Sequence, residues 1–122
     1  MNGINNLGYC YQHGIGTNID KKMAFELFQK AAELGNSSGI YNLGDCYQYG
    51  IGTVIYKEKA FELYQKAADL GNSIAQYNLA IMYEIGIVTD KNINKAIYWC
   101  KKSAEQGNQN ARNKLEKLKN RK

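Results

Sequence analysis

Apolar residues along the chain recur at helical spacing, in short runs parted by glycine-rich turns. Ile4, Leu7, Gly8 and Tyr11 fall at i, i+3, i+4 and i+7, one face of a helix. Ala24, Phe25, Phe28, Ala31 and Ala32 form a second stripe, repeated as Ala60, Phe61, Tyr64, Ala67 and Ala68. The pattern predicts first helices over about 3–13, 38–49 and 74–85, and second helices over about 20–34, 56–70 and 92–106. Gly14, Gly50 and Gly86 stand where a left-handed residue ends the first helix. Asp20 and Asn92 are placed to cap the second. Tyr56 holds the same place in the middle unit and cannot cap, so that helix start is expected to fray. Gly35-Asn36, Gly71-Asn72 and Gly107-Asn108 end each second helix and offer Asn as the next cap. Gly8 and Gly44 sit inside a helix, where glycine costs about 1 kcal/mol against alanine. Ala80 at the same place in the third unit predicts close helix approach. Val88 replaces the glycine found at Gly16 and Gly52, so the third loop is expected to differ.

These helix pairs are copies. Residues 3–38 laid over 39–74 match at about 26 of 36 positions, and a looser copy runs over 75–110. Residues 109–121 begin a fourth copy, a narrow stripe of Ala111, Leu115 and Leu118 on a polar helix suited to capping an open end. Fixed-period repetition predicts an all-α solenoid in which each unit buries its apolar face against its neighbours. By length, residues 1–122 form a single domain.

Composition adds limits. The net charge of +5 is uneven: residues 101–122 carry eight Lys/Arg and two Glu, while residues 1–100 carry eight Lys/Arg and nine Asp/Glu. The basic tail reads as a solvated end helix, and its docking on an acidic partner or anionic membrane would be sensitive to salt. The near-neutral repeats lack the Lys/Arg-lined groove of a nucleic-acid binder, so no nucleic acid is expected. No run approaches the roughly 20 apolar residues of a membrane span, and Met1-Asn2-Gly3-Ile4 enters the first repeat without a signal peptide. Cys10 and Cys46 share a slot with Met82, and Cys100 one with Phe28 and Tyr64. These are packing positions, so a reducing, cytoplasmic setting is expected rather than a disulfide framework.

The motif Leu43-Gly44, Tyr47, Gly50, Gly52, Lys59-Ala60, Ala67-Ala68, Gly71-Asn72 resembles the Sel1-like repeat, a relative of the tetratricopeptide repeat. Ala75, Leu79, Tyr83, Gly86, Lys95-Ala96, Trp99, Ala104 and Gly107-Asn108 repeat it. Thr17, Thr53, Thr89, Tyr56 and Val88 depart from that pattern. The resemblance implies a right-handed α/α superhelix of three helix-turn-helix repeats plus a C-terminal capping helix. It also implies a scaffold or adaptor role, in arrays often joined to signalling domains. A cysteine-rich branch staples its helices with disulfides; Ala32, Ala68, Ala104, Ile40 and Gln76 occupy those places here, so that branch's chemistry is not carried over.

The first-helix differences between the two near-identical copies lie on one stripe: Asn5/Tyr41, Tyr9/Asp45 and His13/Tyr49, at i, i+4 and i+8. Tyr77, Ile81 and Ile85 are the third-copy equivalents. With Gln12, Gln48 and Glu84 beside them, these are the expected partner contacts, because first helices line the concave groove of the tetratricopeptide superfold. A protein or peptide partner is expected there. The tyrosines would anchor it, and Gln12, Gln48, Asp45 and Glu84 would supply hydrogen bonds.

Catalysis is not expected. His13 is the one histidine and has Tyr49 and Ile85 as equivalents, which makes a poor metal site. Gly14-Ile15-Gly16 lacks the Lys-Ser/Thr ending of a phosphate loop. No cofactor or metal is implied. Two further expectations concern the start of the chain. Ile4 and Leu7 have no earlier unit to cover them, which favours homo-oligomer formation through the first repeat. The abrupt start also fits a segment of a longer signalling protein.

Overall fold

The computed structural model describes residues 3–120. Among them stand seven helices and no strand: α1 Gly3–His13, α2 Lys21–Glu33, α3 Ser37–Tyr49, α4 Lys57–Asp69, α5 Ser73–Ile85, α6 Ile93–Glu105 and α7 Gln109–Asn120. They fall into two compact units that divide within α4, one ending at Leu63 and the other beginning at Tyr64.

Local chemistry sets the helix ends. Asp20 accepts from the Met23 N–H at 3.0 Å and Asn92 from that of Lys95 at 3.0 Å. Asn36, Asn72 and Asn108 likewise cap α3, α5 and α7 through the N–H groups of Gly39, Ala75 and Ala111. Tyr56 offers no such oxygen. Its ring instead stands edge-on to Tyr47 at 6.2 Å, and Glu58 is an acidic group in the first turn of α4, favourable to the helix dipole.

In the unit ending at Leu63, α2 packs against both α1 and α3. Ala24, Phe28, Leu43 and Cys46 are its buried centre, with Tyr11, Phe25, Tyr47 and Ile51 against them. The close approach expected at Gly8 is present: a Cβ there would lie 2.7 Å from the Phe28 ring. Gly39 is a second such place, where a Cβ would lie 2.6 Å from that of Ala31. Leu7 is left uncovered, as expected for the first repeat, being 47% exposed where Leu43 is 7% and Leu79 0%. Phe28 and Ala24 of α2 cover Leu43; among the described residues no helix precedes α1 to do the same for Leu7.

In the unit from Tyr64, α6 packs against both α5 and α7. Leu79, Met82, Ala96, Cys100, Ala111 and Leu118 are buried. Polar groups here are satisfied across helices. Ser103 Oγ donates to the Ser73 carbonyl at 2.7 Å, and the buried Gln76 donates to the Ala68 carbonyl while accepting from Gln106 Nε2. Leu115 of α7 is half-buried.

The third loop does not differ as expected. Val88 adopts φ 71°, matching Gly16 at 73° and Gly52 at 71°. The same hydrogen bonds fix all three turns. Ile15, Ile51 and Ile87 N–H groups reach the carbonyls of Cys10, Cys46 and Met82, and those of Asp20, Tyr56 and Asn92 reach Tyr11, Tyr47 and Tyr83, all at 2.8–3.0 Å. The turn imposes its geometry on valine, a β-branched residue that disfavours positive φ.

Candidate functional site

The expected contact stripe is placed unevenly. Asn5 is buried, against the expectation that it faces a partner, and its Oδ1 accepts from Asn42 Nδ2 of α3 at 2.9 Å. That bond joins neighbouring first helices and occupies the side chain. Tyr9 is half exposed, its ring 4.3 Å from that of His13, and His13 is itself exposed. Tyr41 and Asp45 are half-buried and have partners within the molecule. Gln12 is half-buried, as is Gln48, whose Oε1 is enclosed without a hydrogen-bond partner among the described residues. Tyr49, at the end of α3, is 65% exposed.

In the other unit Tyr77 and Ile81 are half-buried, and Ile85 is 61% exposed. Glu84 accepts an ion pair from Lys114 of the capping helix at 3.0 Å, so its carboxylate ties α5 to α7. His13, Tyr49 and Ile85 hold one repeat position at the ends of α1, α3 and α5, and all three are exposed.

The thiols match their reading as packing groups. Burial pushes the Cys46 thiol up to about 12, with the Asp45 carboxylate adding to the rise. Burial likewise raises Cys100 to about 11, against the lowering influence of Lys114 and with a small push from Glu84. Both stay protonated and unreactive at neutral pH. Cys10 is half-buried and unbonded. Among the described residues no three His, Cys, Asp or Glu side chains gather as a metal site.

A further feature was not foreseen from the sequence. Beside α5 and α6 lies a pocket of about 570 Å³, walled by Tyr83, Tyr98 and Trp99, with Lys95, Asn92, Asn94 and Gln65 around it. Tyr98 and Trp99 meet nearly at right angles, 5.0 Å apart. Lys95 Nζ stands 5.3 Å from the centre of the Tyr83 ring, and Lys102 Nζ 5.3 Å from that of Tyr98. The repeat comparison held the signal. The middle copy carries Tyr56, Glu62 and Leu63 where the third carries Asn92, Tyr98 and Trp99. The Tyr56 ring lies against Tyr47, the counterpart of Tyr83; Asn92 brings no ring to that place.

Comparison with known proteins adds context. The Sel1 repeat matches the sequence three times, at residues 2–36, 37–72 and 73–108. A Sel1 repeat protein from Oxalobacter formigenes superposes with a TM-score of 0.90 at 29% identity, covering 92% of this chain and 46% of that one. The protein c5321, a protective antigen of uropathogenic Escherichia coli with an SLR fold, gives 0.88 at 36% identity over 94% of this chain and 25% of its own. Cysteine-rich protein B of Helicobacter pylori gives 0.78 at 27% identity over 92% and 84%. The chain thus spans under half the length of the first two. No curated protein matches it significantly. The fold class is that of all-α superhelical repeat proteins.

Proposed function

Because the chain belongs to the Sel1 repeat family, whose members generally mediate contacts between proteins, we propose that it is a non-catalytic scaffold that holds a partner protein or peptide on its first helices. One observation carries this reading. A single repeat position bears His13, Tyr49 and Ile85, chemically different in each copy, and every one is exposed. Large side chains standing in water at helix ends, on a scaffold otherwise copied, are what partner recognition uses. Tyrosine in particular supplies contact area at low entropic cost. Tyr9 and Tyr49 are the anchors in one unit and Ile85 in the other. Asn5 and Glu84, engaged within the molecule, serve the scaffold. No helix among the described residues is long and apolar enough to cross a membrane, and three free thiols, two of them buried, favour a reducing compartment.

The test is a displayed peptide library selected on the full chain. Exchanging Tyr9 and Tyr49 together for alanine is expected to weaken the selected peptides about 30-fold, near 2 kcal/mol, while the thermal melt stays within a few degrees. Unchanged binding, or a large fall in melting temperature, overturns the assignment.

The exposure of Leu7 favours a second reading, self-association through α1. Light scattering over a range of concentrations then shows a dimer that Leu7→Gln abolishes. A monomer at every concentration removes this alternative.

A further inference from the structure

The pocket beside α5 and α6 lies away from the first-helix stripe and is built differently. Three aromatic residues line an open pocket whose volume is within the usual range for ligand sites. The polar part of the lining is one ammonium and three amides, with no carboxylate. Charge is biased the same way. From Tyr64 onward the sequence has eleven Lys/Arg against five Asp/Glu, whereas residues 1–63 have five against six. Lys95 and Lys102 are seven residues apart on α6, two helical turns and about 10 Å along the axis. The two ammonium groups stand over different rings, Tyr83 and Tyr98, a placement that suits two carboxylates flanking a central ring.

We propose that this pocket receives an aromatic side chain presented by an acidic peptide segment, the ring entering among Tyr83, Tyr98 and Trp99 and the flanking carboxylates meeting Lys95 and Lys102. The middle repeat shows how the site is closed. Tyr56 lays its own ring beside Tyr47, while its counterpart Asn92 leaves that volume to a ligand. Of the three walls only Tyr83 has an aromatic counterpart in the middle repeat, Tyr47, and the plug set against it there, Tyr56, is itself an aromatic ring.

Trp99 is the one tryptophan in the sequence and lines the pocket, so its emission reports occupancy directly. The probe is acetyl-Glu-Phe-Glu-amide, titrated into the full chain at low salt. A saturable change in Trp99 emission is expected, weakened by added salt. Replacing the probe's Phe by Ala, or both Glu by Lys, should reduce affinity at least about tenfold. Asn92→Tyr copies the plug of the middle repeat and should abolish the response. Tyr98→Glu copies that repeat's Glu62 at an exposed position, so the fold is kept while a repelling carboxylate is set at the lip. The Tyr9/Tyr49 double variant should respond as wild type, which separates this site from the first-helix surface. No saturable response, equal binding of the Ala or Lys probes, or wild-type binding by both pocket variants overturns the proposal. Phenylacetate binding as tightly as the peptide would also overturn it, assigning the pocket to free aromatic acids.

Discussion

Replacing Phe28 with alanine should remove about 3–5 kcal/mol of unfolding free energy, read as a lower urea midpoint of the helical signal. Phe28 is fully buried and touches more than one partner helix. Its ring fills the space that a side chain at Gly8 would need, and it closes over Leu43 and Cys46 of α3. Glycine in a helix is itself unfavourable; here the loss is offset by the depth to which α1 approaches the ring. Removing the ring forfeits both. Gly8 has no side chain to relax into the space, and Ala24 and Ala31 on either side are too small to fill it. A site that cannot collapse keeps its cavity, and this places the cost in the upper part of the range seen for such truncations. A loss below about 1 kcal/mol would mean that α1 and α3 are held by something other than this ring.

What could be read from the sequence follows the range of the forces involved. Helix ends depend on residues a few positions apart. Asp20, Asn36, Asn72, Asn92 and Asn108 therefore cap where their spacing places them. The small residue at Gly8 pointed to close packing because the large residue it meets, Phe28, lies on the paired helix of the same repeat. Burial of an individual side chain depends instead on which helix lies beyond it. Leu7 carries the same local signals as Leu43, which packs with Ala24 and Phe28 of the preceding repeat; the exposure of Leu7 was legible only from its place in the first repeat. Asn5 shares its stripe with Tyr9 and His13, but Asn42 of the next first helix draws it inward. Glu84 looked like an exposed contact until α7 brought Lys114 to it. The aromatic pocket was hidden for a related reason. Its walls come from residues that each read as ordinary surface or core, and only their departure from the middle repeat marks them together.

Exchanging Gly52 for valine should cost about 2–5 kcal/mol, although valine stands at the equivalent place in the third repeat. Both positions hold a left-handed φ of 71°, so backbone strain alone would make them alike. Their surroundings separate them. A Cβ on Gly52 would run into the Lys21 carbonyl and crowd the Cβ of Phe25. Lys21 and Phe25 lie in the first two turns of α2, whose backbone cannot move aside without disturbing the Asp20 cap and the packing of Phe28 below it. Val88 is 43% exposed and is tolerated with only the strain of its backbone. The reverse exchange, Val88→Gly, relieves about 1–2 kcal/mol of that strain and gives back part of it through glycine's greater freedom in the unfolded chain, for a net gain near 1 kcal/mol. Thermal melts of the two variants should therefore shift in opposite directions, with Gly52→Val much the larger. Equal and small shifts would show that α2 does not press on the loop, and that the left-handed turn is a property of the turn's own hydrogen bonds alone.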